Sequence, residues 1–370
     1  HYCKEKNTYN YLEAMTLKSL GVSHDIIQGK LEIEELSFKV GDSYQDSSSK
    51  EYAKAIMGLI AAGLDPTNYN GKDYIEFLTS SQTEEGYFET KKDSGDKAED
   101  IAYSIIALDM AGVEYDVAKA VDLLISKFTI EDDKAFVKEW SFYSNGDLEL
   151  TAISMMALSN HRDIIDTNLI YKSINFIESE RLESGMYGDI EWSGKEKVSA
   201  KLTSKIVQAL IAVGEDITSE RWLMANGNTM VDGLLKLKSG NEFKENENAW
   251  NEYATTEVLA ALTDAYTGKS MFKSIDIGQP SKVEIVLPEG KNTIKVGKKI
   301  QVSAKVYDIN EKVIPSQELE WSSNNTHIAT IDEKGIITAI SPGTTTIHVQ
   351  VKGFHIINSV EINVVDVEPH

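Results

Sequence analysis

Residues 101–112, IAYSIIALDMAG, and 203–214, TSKIVQALIAVG, carry one pattern: an apolar helical run with small residues on one side, a leucine, then a glycine four positions on. The leucine recurs as Leu17, Leu59, Leu108, Leu158, Leu210 and Leu262, at successive offsets of 42, 49, 50, 52 and 52. Small residues precede each one: Thr16, Gly58, Ala107, Ala157, Ala209 and Ala261. Six positions earlier stand Tyr11, Ala53, Ala102, Ala152, Ser204 and Thr256, small in all but the first. Gly21, Gly63, Gly112 and Gly214 fall where a helix needs a left-handed cap, and Arg162 and Tyr266 replace them in units four and six. A period near fifty residues held over five steps predicts a repeat fold.

A second helical pattern follows the glycine in each unit. In unit two it is KDYIEFLTSS, with Tyr74, Ile75, Phe77 and Leu78 as its apolar stripe. The equivalents run Ile26 to Leu36, Val117 to Phe128, Leu169 to Ile177 and Met230 to Leu237, with Asp116, Thr167 and Asn228 expected as N-caps of the last three. The leucine helices are apolar nearly all round and must be buried; the second helices are amphipathic and can face water. Such pairs build either an open solenoid or a closed double-layered ring. The alanines and threonines favour the ring, because helices converging on one axis need small side chains. The count is six inner and five outer helices, residues 267–280 being too short for another.

The segments entering the inner helices mix glycine, aromatic and acidic residues, as in GYFETKKDSGDKAED (86–100), EWSFYSNGDLEL (139–150), GMYGDIEWSGKEKVSA (185–200) and NEFKENENAWNEYA (241–254). Gln82, Gly86 and Phe88 have Q-x-x-x-G-x-aromatic spacing. Over residues 11–270 the repeats resemble the prenyltransferase and squalene-cyclase repeat family. That resemblance implies an all-α α/α-toroid, a fold shared with the complement thioester domain and cobalamin carriers.

Beyond the segment KSIDIGQPSK the period switches from 3.6 to 2. Val283, Ile285 and Leu287 alternate with polar residues, as do Ile300, Val302, Ala304 and Val306, then Ile347, Val349 and Val351, then Val360, Ile362 and Val364. About seven strands broken by Pro288, Gly297, Gly335 and Pro342-Gly343 predict an antiparallel sandwich. EWSSNNTHIATID followed by GIITAISPGTTTI resembles the bacterial immunoglobulin-like group 2 domain, through Trp321, Ser322, Ser323, Ile328, Ala329, Ile331, Asp332, Gly335, Thr338, Pro342 and Gly343. That resemblance implies a core Trp321, a stalk on a bacterial surface protein, and export. The expected domains are 1–278, the toroid, and 279–370, the immunoglobulin-like domain.

Net charge is −22, of which −20 lies in the first 280 residues. So acidic a surface repels phosphate backbones and argues against nucleic-acid partners and anionic membranes. No apolar run reaches the ~18 residues of a membrane span. A chain beginning at His1 reads as an excised fragment whose signal and anchor lie elsewhere. Cys3 is the single cysteine, so no disulfide framework or thiolate metal site forms within one chain.

Motifs that carry chemistry are scarce in this sequence. The squalene-cyclase D-x-D-D acid motif has no match, the nearest cluster being Asp93-Ser-Gly-Asp96. The prenyltransferase zinc triad and the G-C-G-E-Q thioester motif are absent, as are G-x-S-x-G, a phosphate-binding loop and H-E-x-x-H. His24, His161, His327, His348 and His355 are scattered, and His348 is expected to point outward. No catalytic residue, metal or cofactor is assigned. Paired carboxylates serve in sugar enzymes, and Glu99, Asp100, Asp147, Glu149, Asp189 and Glu191 lie in position for that role. The expected ligand-binding residues are aromatics preceding inner helices: Tyr87, Trp140, Tyr143, Tyr187, Trp192, Trp250 and Tyr253. Their faces would stack on a sugar or planar ligand at the ring mouth.

The expected protein is a non-catalytic module at a bacterial cell surface. Its toroid mouth binds a glycan, small molecule or surface protein, and its immunoglobulin-like domain is a spacer. Alternatives are an extracellular carbohydrate-active enzyme using paired carboxylates in the cleft, or a corrinoid carrier.

Overall fold

The structure, a computed structural model, describes residues 6–33, 36, 47–91, 94–139, 146–191, 193–251, 253–273, 282–288, 291–307, 313–314, 319–352 and 357–366. The chain divides into two compact units, His1–Ile275 and Asp276–His370.

In the first unit, leucine-bearing helices alternate with amphipathic ones. The leucine helices are α1 (Tyr11–Ser19), α3 (Ser49–Ala61), α5 (Ala98–Ala111), α7 (Leu148–Leu158), α9 (Ala200–Ala212) and α11 (Ala254–Thr267). Between them come α2 (His24–Gln28), α4 (Tyr74–Ser80), α6 (Val117–Ser126), α8 (Thr167–Ser179) and α10 (Met230–Lys236). Leu59, Leu108, Leu158 and Leu210 are wholly buried, each worth roughly 1.5–3 kcal/mol relative to exposure. The small residues beside them let helices touch: a Cβ on Gly58 would lie 3.2 Å from Cβ of Tyr11, so α1 rests directly on α3 there. Gly21, Gly63, Gly112 and Gly214 all hold positive φ, as helix-ending glycines should.

Each odd-numbered helix packs on the next odd-numbered one, and α11 packs back on α1. The hydroxyl of Thr256 donates to the buried Glu13 Oε1 at 2.9 Å, joining residues 243 positions apart. Each even-numbered helix packs against the odd-numbered helix before it.

Local chemistry sets the helix starts. Asn10 with Glu13, Ser48 with Glu51 and Thr229 with Asp232 form capping boxes, and Asp116 caps α6 as the sequence predicts. Such caps contribute ~1 kcal/mol each. Two caps differ from expectation by one residue. Asp166 rather than Thr167 caps α8, and Thr229 rather than Asn228 caps α10. The helix expected from Ile26 to Leu36 ends at Gln28, and Leu31 instead bridges to Tyr9.

Three hairpins lie between even-numbered helices and the next odd-numbered ones, where no strand was expected. They pair β1 (Phe128–Glu131) with β2 (Lys134–Val137), β3 (Gly188–Ile190) with β4 (Glu196–Val198), and β5 (Lys238–Ser239) with β6 (Glu242–Phe243). Phe128 therefore starts a strand instead of ending α6.

The second unit holds β7 (Lys282–Val286), β8 (Thr293–Lys295), β9 (Lys299–Gln301), β10 (Ser303–Tyr307), β11 (Val313–Ile314), β12 (Leu319–Ser323), β13 (Ala329–Ile331), β14 (Ile336–Ala339), β15 (Gly343–Val351) and β16 (Ile357–Val365). They form sheets in the orders β11-β10-β7, β12-β15-β16-β8 and β13-β14-β9. Pairing is antiparallel except between β16 and β8. The expected single strand over 300–306 changes sheets at buried Val302. Before it Ile300 pairs with Ile337 of β14, and after it Ala304 pairs with Ile285 of β7. In β15, Thr345, Ile347, Val349 and Val351 face the core in strict alternation. Trp321 is half-buried and touches both apolar clusters of the unit. His348 points away from the core and meets Asn324 Oδ1 at 3.0 Å.

Candidate functional site

The N-terminal turns of all six odd-numbered helices line one cavity of about 410 Å³. Their contributions follow the repeat. Five positions before each repeat leucine come Leu12, Lys54, Tyr103, Ile153, Lys205 and Glu257. One turn outward, nine positions before the leucine, come Lys50, Glu99, Glu149, Lys201 and Tyr253 from units two to six. All except Ile153 line this cavity, with Tyr11, Glu32, Glu51 and Thr256 beside them. Ile153 lines a smaller recess next to it, shared with Glu99, Tyr103, Asp147, Glu149 and Lys205.

The deep layer is charged and largely shielded from solvent. Lys205 is 4% exposed, and its ammonium lies 3.4 Å from Glu257 Oε2 and 3.4 Å from the Tyr103 hydroxyl. Burial opposes that charge, yet Glu257, Tyr11 and Glu149 hold the Lys205 pKa above its ordinary value. Burial and then Glu257 push the Tyr103 phenol well up. Burial and then Tyr103 do the same to Tyr11. Both phenols therefore stay protonated, and the Tyr11 hydroxyl donates to that of Tyr103. Lys54 places its ammonium 4.7 Å from the Tyr103 ring centre and 5.6 Å from that of Tyr11.

The outer layer is wetter. Lys50 Nζ donates to Glu99 Oε2 at 2.6 Å, while Glu32 and Glu149 are exposed. A neighbouring recess brings Glu99, Asp100, Glu139 and Asp147 together with Lys50 and Lys97. Burial raises the pKa of both Asp100 and Glu139.

Part of this acidity is structural. Glu139 accepts from the N–H of Ala98, Asp100 from that of Lys50 and Glu245 from that of Lys201, each acid capping a helix of another repeat. Asp147 caps its own helix through the Leu150 N–H. Of the six carboxylates singled out from the sequence, Glu99, Asp100, Asp147 and Glu149 gather at the mouth. Asp189 and Glu191 lie on the exposed β3–β4 hairpin and line none of these recesses.

The expected aromatic rim is only partly present. Tyr253 is 53% exposed and lines the cavity. Trp250, 54% exposed, stands under the Lys244 ammonium but does not line it. Tyr87 is half-buried against the helical core. Tyr187 is fully buried, because its backbone N–H is tied to Thr203 Oγ1 at 3.1 Å and its ring is drawn into the core. Trp140, Tyr143 and Trp192 lie outside the described residues. Sequence reasoning missed Lys54, Tyr103, Lys205 and Glu257, although long polar side chains at one register of apolar helices were a usable signal.

Among the described residues no helix is long and apolar enough to cross a membrane. No curated protein matches the chain. Structural similarity extends to surface layer protein SbsC, domains 1-6, at 17% identity, covering 25% of this chain and 14% of that one, with a TM-score of 0.21. A mutant intimin of EHEC O157:H7 is 21% identical over 22% of this chain and 46% of its own, with a TM-score of 0.18. The endo-beta-1,4-mannanase of Thermotoga petrophila is 9% identical over 97% of this chain and 94% of its own, with a TM-score of 0.17. At these scores none of the three defines the fold of the whole chain. Residues 284–355 match the bacterial Ig-like domain (group 2), and the second unit therefore carries an Ig-like module of that group.

Proposed function

We propose that this is a ligand-binding module of a bacterial surface protein. Its helical unit is an α/α-toroid whose mouth holds a small ligand, and its Ig-like domain is the spacer. The observation that carries this reading is the cavity itself. Six equivalent helix starts line it, and it holds charged and phenolic groups that a purely structural core would exclude at several kcal/mol each. Its volume falls within the ~300–1,000 Å³ usual for small-molecule sites. The surface location rests on the group 2 Ig-like domain. Screening on a glycan and metabolite array, followed by Tyr253→Ala and Tyr103→Phe, tests the reading. Binding lost in both variants supports the mouth as the site; binding unchanged in both moves the site elsewhere.

A second reading is favoured by Glu99, Asp147 and Glu149 sharing one recess, the arrangement a carboxylate-based glycoside hydrolase needs. Turnover of a polysaccharide that disappears in Glu149→Gln while folding persists would replace the first reading with this one.

A further inference from the structure

The cavity sorts its charges by depth. Its deep layer carries two lysines, Lys54 and Lys205, against one glutamate, Glu257. Its outer layer carries Lys50 and Lys201 against Glu32, Glu51, Glu99 and Glu149. The deep end thus has an excess positive charge where water is scarce, and the outer end an excess of carboxylates where water is available.

The partners of each cation locate that excess. Lys205 faces Glu257, and Lys50 is bonded to Glu99. Lys54 has no carboxylate within ion-pair distance among the described residues. The groups recorded against its ammonium are the Tyr11 and Tyr103 rings. Ring faces attract a cation but do not accept its three N–H bonds as oxygen acceptors would.

We propose that the deep end of the cavity is an anion subsite. It takes the carboxylate of a small hydroxylated organic acid, with Lys54 as the cation and the Tyr103 hydroxyl, which already accepts from Tyr11, as the neutral donor. This inference rests on the mouth being a ligand site. Charge-assisted hydrogen bonds from an ammonium to a carboxylate are the strong ones, and a dry setting strengthens them. Burial and then Glu257 keep the Tyr103 phenol protonated, an O–H donor toward such a group. Burial above all, with Lys205 and Lys50 beside it, holds the Lys54 pKa below its ordinary value against the opposing pull of Glu99 and Glu257. A bound carboxylate reverses that balance. Glu149 and Glu32 at the outer end would accept from ligand hydroxyls, and Lys201 would donate to them. A ligand with an acidic head and a hydroxyl-bearing body matches this polarity; its reverse does not.

Calorimetric titration of the whole protein with glucuronate, galacturonate and lactate, and with glucose and glucosamine as neutral and cationic counterparts, tests the assignment. At least one acid should bind saturably, with glucose and glucosamine roughly tenfold weaker or more, the size of a charge-assisted bond. Lys54→Met should lose about tenfold in acid affinity, while Lys54→Arg, which keeps the charge, stays within a few-fold. Circular dichroism on both variants separates a lost subsite from a lost fold. Acid binding that survives Lys54→Met in a folded protein overturns the subsite, as does failure of every acid to bind. Equal binding of glucose or glucosamine overturns it too. If glucose binds and no acid binds more tightly, and Tyr253→Ala abolishes that binding, the mouth stands as the site while the anion subsite falls.

Discussion

The two units bury different things. In the helical unit the described interior holds three carboxyl groups and one ammonium, on Glu13, Asp100, Asp264 and Lys205, together with many hydroxyls. In the β unit the described interior is Ile, Val and Ala, and Thr345 is its single buried polar residue. Both units are held by the same apolar burial. Only the first tolerates charge inside: Glu13, Asp100 and Lys205 lie in the first two turns of their helices, and Asp264 in the last turn of α11. A domain that serves as a spacer needs an inert core. One that binds a polar ligand must hold charges ready in a dry place, at a cost in stability.

The largest test of that contrast is Asp264, on α11. Burial pushes its pKa up to about 8, against the Met271 N–H, which donates to Oδ1, and against Gln208. Oδ2 has no hydrogen-bond partner among the described residues. The unfolded chain ionises this group near 3.8, whereas the folded one keeps its proton to about 8. Stability is therefore fully present below pH 3.8, is lost as pH rises toward about 8, and is level above it. At ~1.4 kcal/mol per unit this amounts to several kcal/mol. Asp264→Asn should remove the slope and stabilise the helical unit at pH 8, as read by urea unfolding from pH 4 to 9.

The β unit should answer differently. Ile347→Ala empties a fully buried position among Ile337, Ile362 and Val364, costing about 3 kcal/mol at every pH over that range. A pH-dependent penalty there would erase the distinction between the two interiors.

A smaller effect probes the segments that lead into the odd-numbered helices. Thr151, Thr203 and Thr255 occupy one repeat position, and each hydroxyl accepts an N–H of the segment before its helix, from Val137, Tyr187 and Phe243. Thr203→Val orphans the Tyr187 N–H and should cost about 1–2 kcal/mol, with faster amide exchange around Tyr187.

Those threonines also show how far the sequence could be read. Leucine spacing and glycine caps are local signals, so the helix ends at Gly21, Gly63, Gly112 and Gly214 were legible. Caps slipped by one residue where two capping residues stand side by side, as at Asp166-Thr167 and Asn228-Thr229. The hairpins were hidden because their strands are two to four residues long, too short for a period to emerge. Position in a loop could not say which way an aromatic turns, since Tyr187 and Tyr253 precede equivalent helices and end up buried and exposed. The charged lining was readable in principle, because Lys54, Lys205 and Glu257 share one register.

All of this requires α11 to return to α1 and complete the wall around the cavity. The Thr256 hydroxyl on Glu13 is the contact that reports it. A double-mutant cycle with Glu13→Gln and Thr256→Val, read by urea unfolding, should give a coupling energy of about 1–2 kcal/mol. Strictly additive effects, within ~0.3 kcal/mol, would mean that the first and last helices do not meet.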